Sequence, residues 1–153
     1  MLEGKYLNFY NQISKKIEKT NIFTDKLHTL AYGTDASFYR LIPKIVIKTD
    51  NAKEVQDIIE LSNELELSIT FRAAGTSLSG QAISDSILIV TSRKFTDFKI
   101  SDDKSYISLQ PALTGAQVNN LLSPYSKKIG PDPASINAAM IGGMAANNAS
   151  GMC

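Results

Sequence analysis

Apolar positions along this chain recur with two periods, and most of the runs are bounded by turn or capping signals. Tyr6, Phe9, Tyr10, Ile13 and Ile17 fall at helical spacing with lysines and polar residues between them. That pattern predicts an amphipathic helix extending to about Lys19. An irregular stretch over roughly 21–42 follows, containing Tyr32-Gly-Thr-Asp-Ala-Ser37. Lys44-Ile-Val-Ile-Lys48 reads as a strand. Asn51 and Glu54 then form a capping-box pattern, and Val55, Ile58, Ile59 and Leu65 line one face of the helix it opens. Ser68-Ile-Thr-Phe-Arg72 reads as a second strand. Ser86-Ile-Leu-Ile-Val-Thr91 is short and continuously apolar, as a strand buried on both faces would be.

The second half is more broken. Lys99–Ser101 and Tyr106–Gln110 predict a hairpin around Asp102-Asp-Lys104. Thr114 and Gln117 cap a further helix with Val118, Leu121 and Leu122 inward and Pro124 near its end. The order is strand, helix, strand, loop, strand, then hairpin and helices. It predicts an α+β or mixed α/β layer, without internal repeats or low-complexity linkers. The natural division is a lead-in over 1–31 and a domain over 32–153.

Composition narrows the chemistry mainly by exclusion. The 153 residues suffice for one domain with a real core, and 43% hydrophobic with 20% charged residues is ordinary for a soluble protein. Sixteen basic against fifteen acidic residues give no field to attract nucleic acid or an anionic membrane. One cysteine, Cys153, and one histidine, His28, exclude an internal disulfide and make a cysteine- or histidine-based metal centre an unlikely expectation for this segment. No apolar run has the length of a membrane span or a signal-peptide core. A cytoplasmic setting is expected. The chain stops at Ala149-Ser-Gly-Met-Cys153, in the middle of a motif, so a longer parent is expected too.

Two glycine-rich stretches carry the candidate chemistry. In Phe71-Arg-Ala-Ala-Gly-Thr-Ser-Leu-Ser-Gly-Gln81, Gly75 and Gly80 permit positive φ, hydroxyls and N–H groups can donate, and Arg72 brings charge. The stretch is neither a Walker loop nor the Rossmann fingerprint, since neither the Gly-Lys-Ser/Thr nor the glycine spacing is present. The competing reading is a loose surface connection rich in turn formers. In Gly130-Pro-Asp-Pro133 through Ile141-Gly-Gly143 and Asn147-Asn-Ala-Ser-Gly151, Gly142 and Gly143 at the mouth of a short helix would offer free N–H groups. There the competing reading is a tightly packed helix whose small residues let neighbours approach. Taken together, the two loops suggest a diphosphate held from two sides, and hence a dinucleotide cofactor.

These residues resemble the FAD-binding domain of the vanillyl-alcohol oxidase / p-cresol methylhydroxylase (PCMH-type) superfamily, over about 32–153. The resemblance rests on Arg72-Ala-Ala-Gly-Thr-Ser-Leu-Ser-Gly80, Gly130-Pro-Asp-Pro133, Ile141-Gly-Gly143 and Asn147–Gly151. Tyr32–Ser37, Phe71–Gly75 and Asn147–Cys153 look most like FAD-linked D-lactate and D-2-hydroxyacid dehydrogenases with a C-terminal iron–sulfur region. The resemblance implies the PCMH-type fold, of which this chain supplies the first α/β subdomain and the start of the second. It also implies a pyrophosphate loop formed by Arg72, Ala73, Ala74, Gly75, Thr76, Ser77, Leu78, Ser79, Gly80 and Gln81. Pro131, Asp132 and Pro133 would run along the flavin side, while Gly142, Gly143, Asn147, Ser150 and Gly151 would close over the diphosphate and ribityl.

Covalent members of the superfamily carry a histidine in the first loop where this chain has Thr76, so non-covalent FAD is implied. The implied partners are a 2-hydroxyacid substrate and an electron acceptor (quinone, cytochrome or carrier protein), with an iron–sulfur cluster beyond residue 153. The implied location is cytoplasmic or peripheral at the inner membrane face, with self-association allowed and nucleic acid not expected. The catalytic acid or base is expected beyond residue 153. Asp35, Arg40 and Tyr32 read as surface or capping groups, His28 as an ordinary partly exposed histidine and Cys153 as a structural thiol. Rival readings are a degenerate phosphate-binding module, PCMH-fold enzymes of other chemistry (cell-wall precursor reductases, molybdenum-hydroxylase flavin subunits), and a protein-interaction domain exposing the Tyr6/Phe9/Tyr10 stripe.

Overall fold

A computed structural model of the chain describes residues 2–151. Contacts divide it into two compact units, 1–92 and 93–153.

The first unit is a four-stranded sheet with helices. Helix α1 (Gly4–Ile13) leads to strand β1 (Ile22–Phe23), helix α2 (Lys26–Ala31) and strand β2 (Ile45–Thr49). Helix α3 (Ala52–Glu64), strand β3 (Ile69–Arg72) and strand β4 (Ile87–Thr91) complete it. The strand order is β1-β2-β4-β3, with β4 parallel to both β2 and β3 and β1 antiparallel at the edge. Alternation along the central strands assigns the two faces. Ile45, Ile47, Ile87 and Ile89 pack with Phe9, Ile13, Ile17, Ile58 and Leu61, while Val46, Leu88 and Val90 point the other way onto Phe23 and Tyr32. Burial on both faces is what the continuously apolar β4 segment predicts.

Three local expectations change. Helix α1 ends at Ile13 rather than near Lys19, because the N–H groups of Lys15 and Lys16 turn to the carbonyls of Gln12 and Ile13. The tighter turn still delivers Ile17 to the core, and the Lys16 ammonium reaches Asp57 at 2.8 Å. The stretch 21–42 is not wholly irregular: it holds β1 and α2, the latter capped by Asp25, which accepts from the His28 N–H at 3.1 Å. On α3, Ile59 is 43% exposed and Leu61 takes the inward place. The α3 cap forms with Asn51 accepting from Glu54 N–H, but the Glu54 carboxylate reaches back to the Asp50 N–H.

The α1 stripe lies in this core, with Phe9 and Ile13 fully buried and Tyr6 and Tyr10 packed against them. It is therefore not an exposed partner-binding face. Residues 1–31 and the strand–helix–strand that follows share one hydrophobic cluster.

The second unit holds the expected hairpin, strands β5 (Phe98–Ile100) and β6 (Ile107–Leu109), antiparallel. Helix α4 (Gly115–Leu122) opens with a complete capping box between Thr114 and Gln117. Leu113, Val118 and Leu122 form a small core with Ile100, Ile107, Leu109, Ile129 and Ile141, the last beginning helix α5 (Ile141–Ala146).

Candidate functional site

Strands β3 and β4 are parallel neighbours, so residues 73–86 must carry the chain back from the end of one to the start of the other. Such crossovers are usually helical; this one is irregular and built of small residues. It leaves the carboxyl end of a parallel strand, where open α/β sheets place ligands.

The local conformation follows from two glycines. Gly75 (φ +72°) and Gly80 (φ +73°) are both left-handed, and between them the chain curls. Among the described residues, the backbone N–H groups of Gly75, Thr76, Ser77, Leu78 and Gly80 donate to no protein acceptor. The Ser77 hydroxyl is occupied internally: it donates to the Gln81 side-chain oxygen and accepts from Ser79 N–H at 3.2 Å. A curled run of unpartnered amide donors is an anion-binding concavity. Leu78 stands 75% exposed at its tip.

Arg72 does not serve as the sequence suggests. Its Nη1 donates to three carbonyls: Thr34 at 2.6 Å, and Tyr32 and Ala82 at 3.4 Å each. The guanidinium also lies 5.5 Å from the centre of the Tyr32 ring. A Cβ at Gly75 would fall 2.6–2.8 Å from three guanidinium atoms, so the loop is folded directly onto the arginine. Burial pushes the Arg72 pKa down and the Asp35 charge opposes that shift; the guanidinium stays charged.

Asp35 belongs to this site although its sequence context suggested a surface group. It caps Ser37 N–H at 2.8 Å and also accepts from Ala82 N–H at 3.3 Å, inside the loop. Burial works against its charge, but the hydrogen bonds from Ser37 and Ala82 and the nearby Arg72 hold its pKa below the ordinary carboxylate value. Ala36 N–H donates to Gly75 O at 3.0 Å, and a Cβ at Gly80 would sit 3.0 Å from the Tyr39 ring. Residues 32–39 thus form a wall along the loop. The signal was present: the one cation of the loop needed a carboxylate, and Asp35 lay in the motif already singled out.

The second unit treats its glycines differently. Gly142 N–H is not free, since it donates to Pro111 O at 3.0 Å, and a Cβ there would meet Pro111 at 2.6 Å. For Gly142 the packing reading holds. Asn147 is the C-cap of α5, and Asn148 follows in the left-handed conformation. Ala149 N–H then returns to Met144 O and Asn148 N–H to Ala145 O, a Schellman closure. Gly151 passes so close to Asp132 that a Cβ would overlap its carbonyl oxygen. The structure therefore brings Asp132, Pro133 and Gly151 together, with Gly143 inside α5 and Ser150 exposed. A groove of about 390 Å³ lies in this unit, lined chiefly by Ile107, Leu109, Ile129, Pro131, Ile141 and Met144.

Among the described residues, no cluster of three or more His, Cys, Asp or Glu side chains could hold a metal. No helix among them is long and apolar enough to cross a membrane. His28 stacks on Phe23 at 4.6 Å and pairs with Asp25, remote in role from either loop. Cys153 lies outside the described residues.

Residues 43–153 match the family described as FAD binding domain. The chain is 26% identical over 154 residues to D-2-hydroxyglutarate dehydrogenase of Haemophilus influenzae, covering 98% of this chain and 15% of that protein. It is 30% identical over 133 residues to the glycolate oxidase subunit GlcD of Escherichia coli K12, covering 82% of this chain and 27% of that protein. Among solved structures, p-cresol methylhydroxylase superposes over 97% of this chain and 30% of its own length, with a TM-score of 0.80 at 14% identity. The chain thus spans less than a third of each of these proteins.

Proposed function

The chain belongs to the FAD-binding domain family, and on that premise we propose that it is the cofactor-binding portion of a flavin-dependent oxidoreductase converting a D-2-hydroxyacid, D-lactate in type, into the 2-oxoacid. The observation that carries the reading is the run of unpartnered amide donors at Gly75–Leu78 and Gly80. Those donors suit a diphosphate, whose oxygens accept and never donate when ionised. The substrate class is supported by relatives named for D-2-hydroxyglutarate and glycolate, both 2-hydroxyacids.

In this reading the amides of 75–78 and 80 and the hydroxyls of Thr76 and Ser79 hold the diphosphate. Ala73 and Ala74 keep the approach clear, and Gln81 anchors Ser77. Pro131, Asp132 and Pro133 are assigned to the flavin side, and Gly143, Asn147, Ser150 and Gly151 to the diphosphate and ribityl, with Gly142 acting through packing. Thr76 cannot form a histidyl–flavin bond, so FAD is held non-covalently. Bound FAD would supply two-electron oxidation at the hydroxyl-bearing carbon; this chain's residues bind and orient it. The catalytic base, an electron acceptor (quinone, cytochrome or carrier protein) and an iron–sulfur cluster are assigned to other parts of the protein, at a cytoplasmic or inner-membrane-face location.

The test is an anaerobic visible spectrum of the whole protein before and after D-lactate. A flavin band that bleaches supports both cofactor and substrate. A band that bleaches only with D-2-hydroxyglutarate or glycolate moves the substrate within the class. Absence of flavin after reconstitution with FAD overturns the reading in favour of a degenerate phosphate-binding module.

A further inference from the structure

We propose that Arg72 and Asp35 are positioning residues, which hold the 73–82 loop open for the diphosphate before any cofactor arrives and use Tyr32–Ser37 as its fixed wall. The inference rests on the FAD reading and deepens it. An arginine at the root of an anion loop would be expected to meet the anion. This one is half-buried beneath Gly75, and its Nη1 joins two stretches of backbone, Tyr32 and Thr34 on one side and Ala82 on the other.

Asp35 completes the clamp. Ala82 is held by both of its backbone groups, its carbonyl by Arg72 and its N–H by Asp35. Ala36 N–H holds the Gly75 carbonyl, so the loop is fastened at entry and exit. Carbonyls are thereby turned toward the arginine, and the N–H groups of 75–78 and 80 are left unpaired. A donor set assembled in advance spares the cofactor the cost of ordering it, which is how preorganisation raises affinity.

The planar fork is what the geometry requires. A lysine keeps the charge but cannot bridge both segments in the same way. If Arg72 acted by attracting phosphate, charge would suffice and Arg72→Lys would bind FAD normally. If it acts by geometry, charge alone fails.

The experiment uses apoprotein of the full-length protein carrying wild-type sequence, Arg72→Lys or Asp35→Asn. FAD and riboflavin affinities are read by flavin fluorescence over a series of salt concentrations. Arg72→Lys should weaken FAD roughly tenfold or more, the scale of a lost charged hydrogen bond. Riboflavin, which lacks the diphosphate, should bind with unchanged affinity, and the salt slope of FAD binding should stay that of wild type. General destabilisation would weaken both ligands, and a lost direct phosphate contact would flatten the salt slope; either result overturns the proposal. Should Arg72→Lys fail to fold, Asp35→Asn gives the second test, because it keeps an acceptor for one N–H and places an amide against the other. FAD bound normally by both variants overturns this proposal alone. A wild-type protein that takes up no FAD overturns the reading beneath it.

Discussion

Alanine at Gly75 and alanine at Gly80 should differ by the contribution of one guanidinium. The two glycines have almost the same backbone, φ +72° and +73°, so a side chain at either meets the same left-handed strain. That strain is about 1–2 kcal/mol for an L-residue. At Gly80 the added methyl approaches the Tyr39 ring at 3.0–3.4 Å, and a ring that is 62% exposed can shift by a few tenths of an ångström. At Gly75 the methyl would lie 2.6–2.8 Å from the Arg72 guanidinium, which is held by three carbonyls and has no such freedom. Displacing it forfeits charged hydrogen bonding worth about 1.5–3 kcal/mol. Gly80→Ala should therefore cost about 1–2 kcal/mol and Gly75→Ala about 3–4 kcal/mol. Urea unfolding followed by far-UV circular dichroism and by tyrosine fluorescence reads both, the chain having six tyrosines and no tryptophan. In an Arg72→Ala background the extra cost at Gly75 should disappear, closing a double-mutant cycle. Equal destabilisation at the two glycines, or an excess at Gly75 that survives without Arg72, would refute the reasoning.

Phe9→Ala should cost about 3–5 kcal/mol in urea, because the ring is fully buried; a loss under 1 kcal/mol would return the α1 stripe to the surface. Ser62→Ala should raise the urea midpoint, since its buried hydroxyl is without a partner among the described residues and alanine favours α3 by about 0.5 kcal/mol; a lower midpoint would mean the hydroxyl is bonded. Asp103 accepts from Ser101 and Ser105, which lowers its pKa from 3.8 to about 2. A lowered carboxylate adds stability that is present above the unfolded-state value and is lost as pH falls through the folded one. Its carboxyl carbon should thus titrate by NMR near pH 2, and a midpoint near 3.8 would show the hairpin-tip bonds to be absent in solution.

Strand and helix existence was legible where the period was unambiguous. The β2 and β4 segments are β-branched runs of five, and both cap signals, at Asn51 and Thr114, opened the helices they announced. Strand order was not legible: β4 inserts between β2 and β3, and no local pattern encodes which neighbour a parallel strand takes. Helix α2 was missed because its six residues are too few to show a period, leaving Asp25 as the only cue. The site shows the deeper limit. Gly75, Gly80 and Gly142 look alike as letters among small neighbours. The first two are required by a left-handed backbone, the third by the approach of Pro111, and only the fold separates those causes. Whether an amide near such a glycine is free for a ligand depends on where every nearby carbonyl goes, and those carbonyls come from distant sequence. Thr34 and Ala82 meet through Arg72, while Pro111 takes the Gly142 N–H that the sequence had offered to a phosphate. A glycine-rich stretch therefore states a capacity for close approach, and the hydrogen-bond partners of its neighbours decide whether that capacity serves a cofactor or the protein itself.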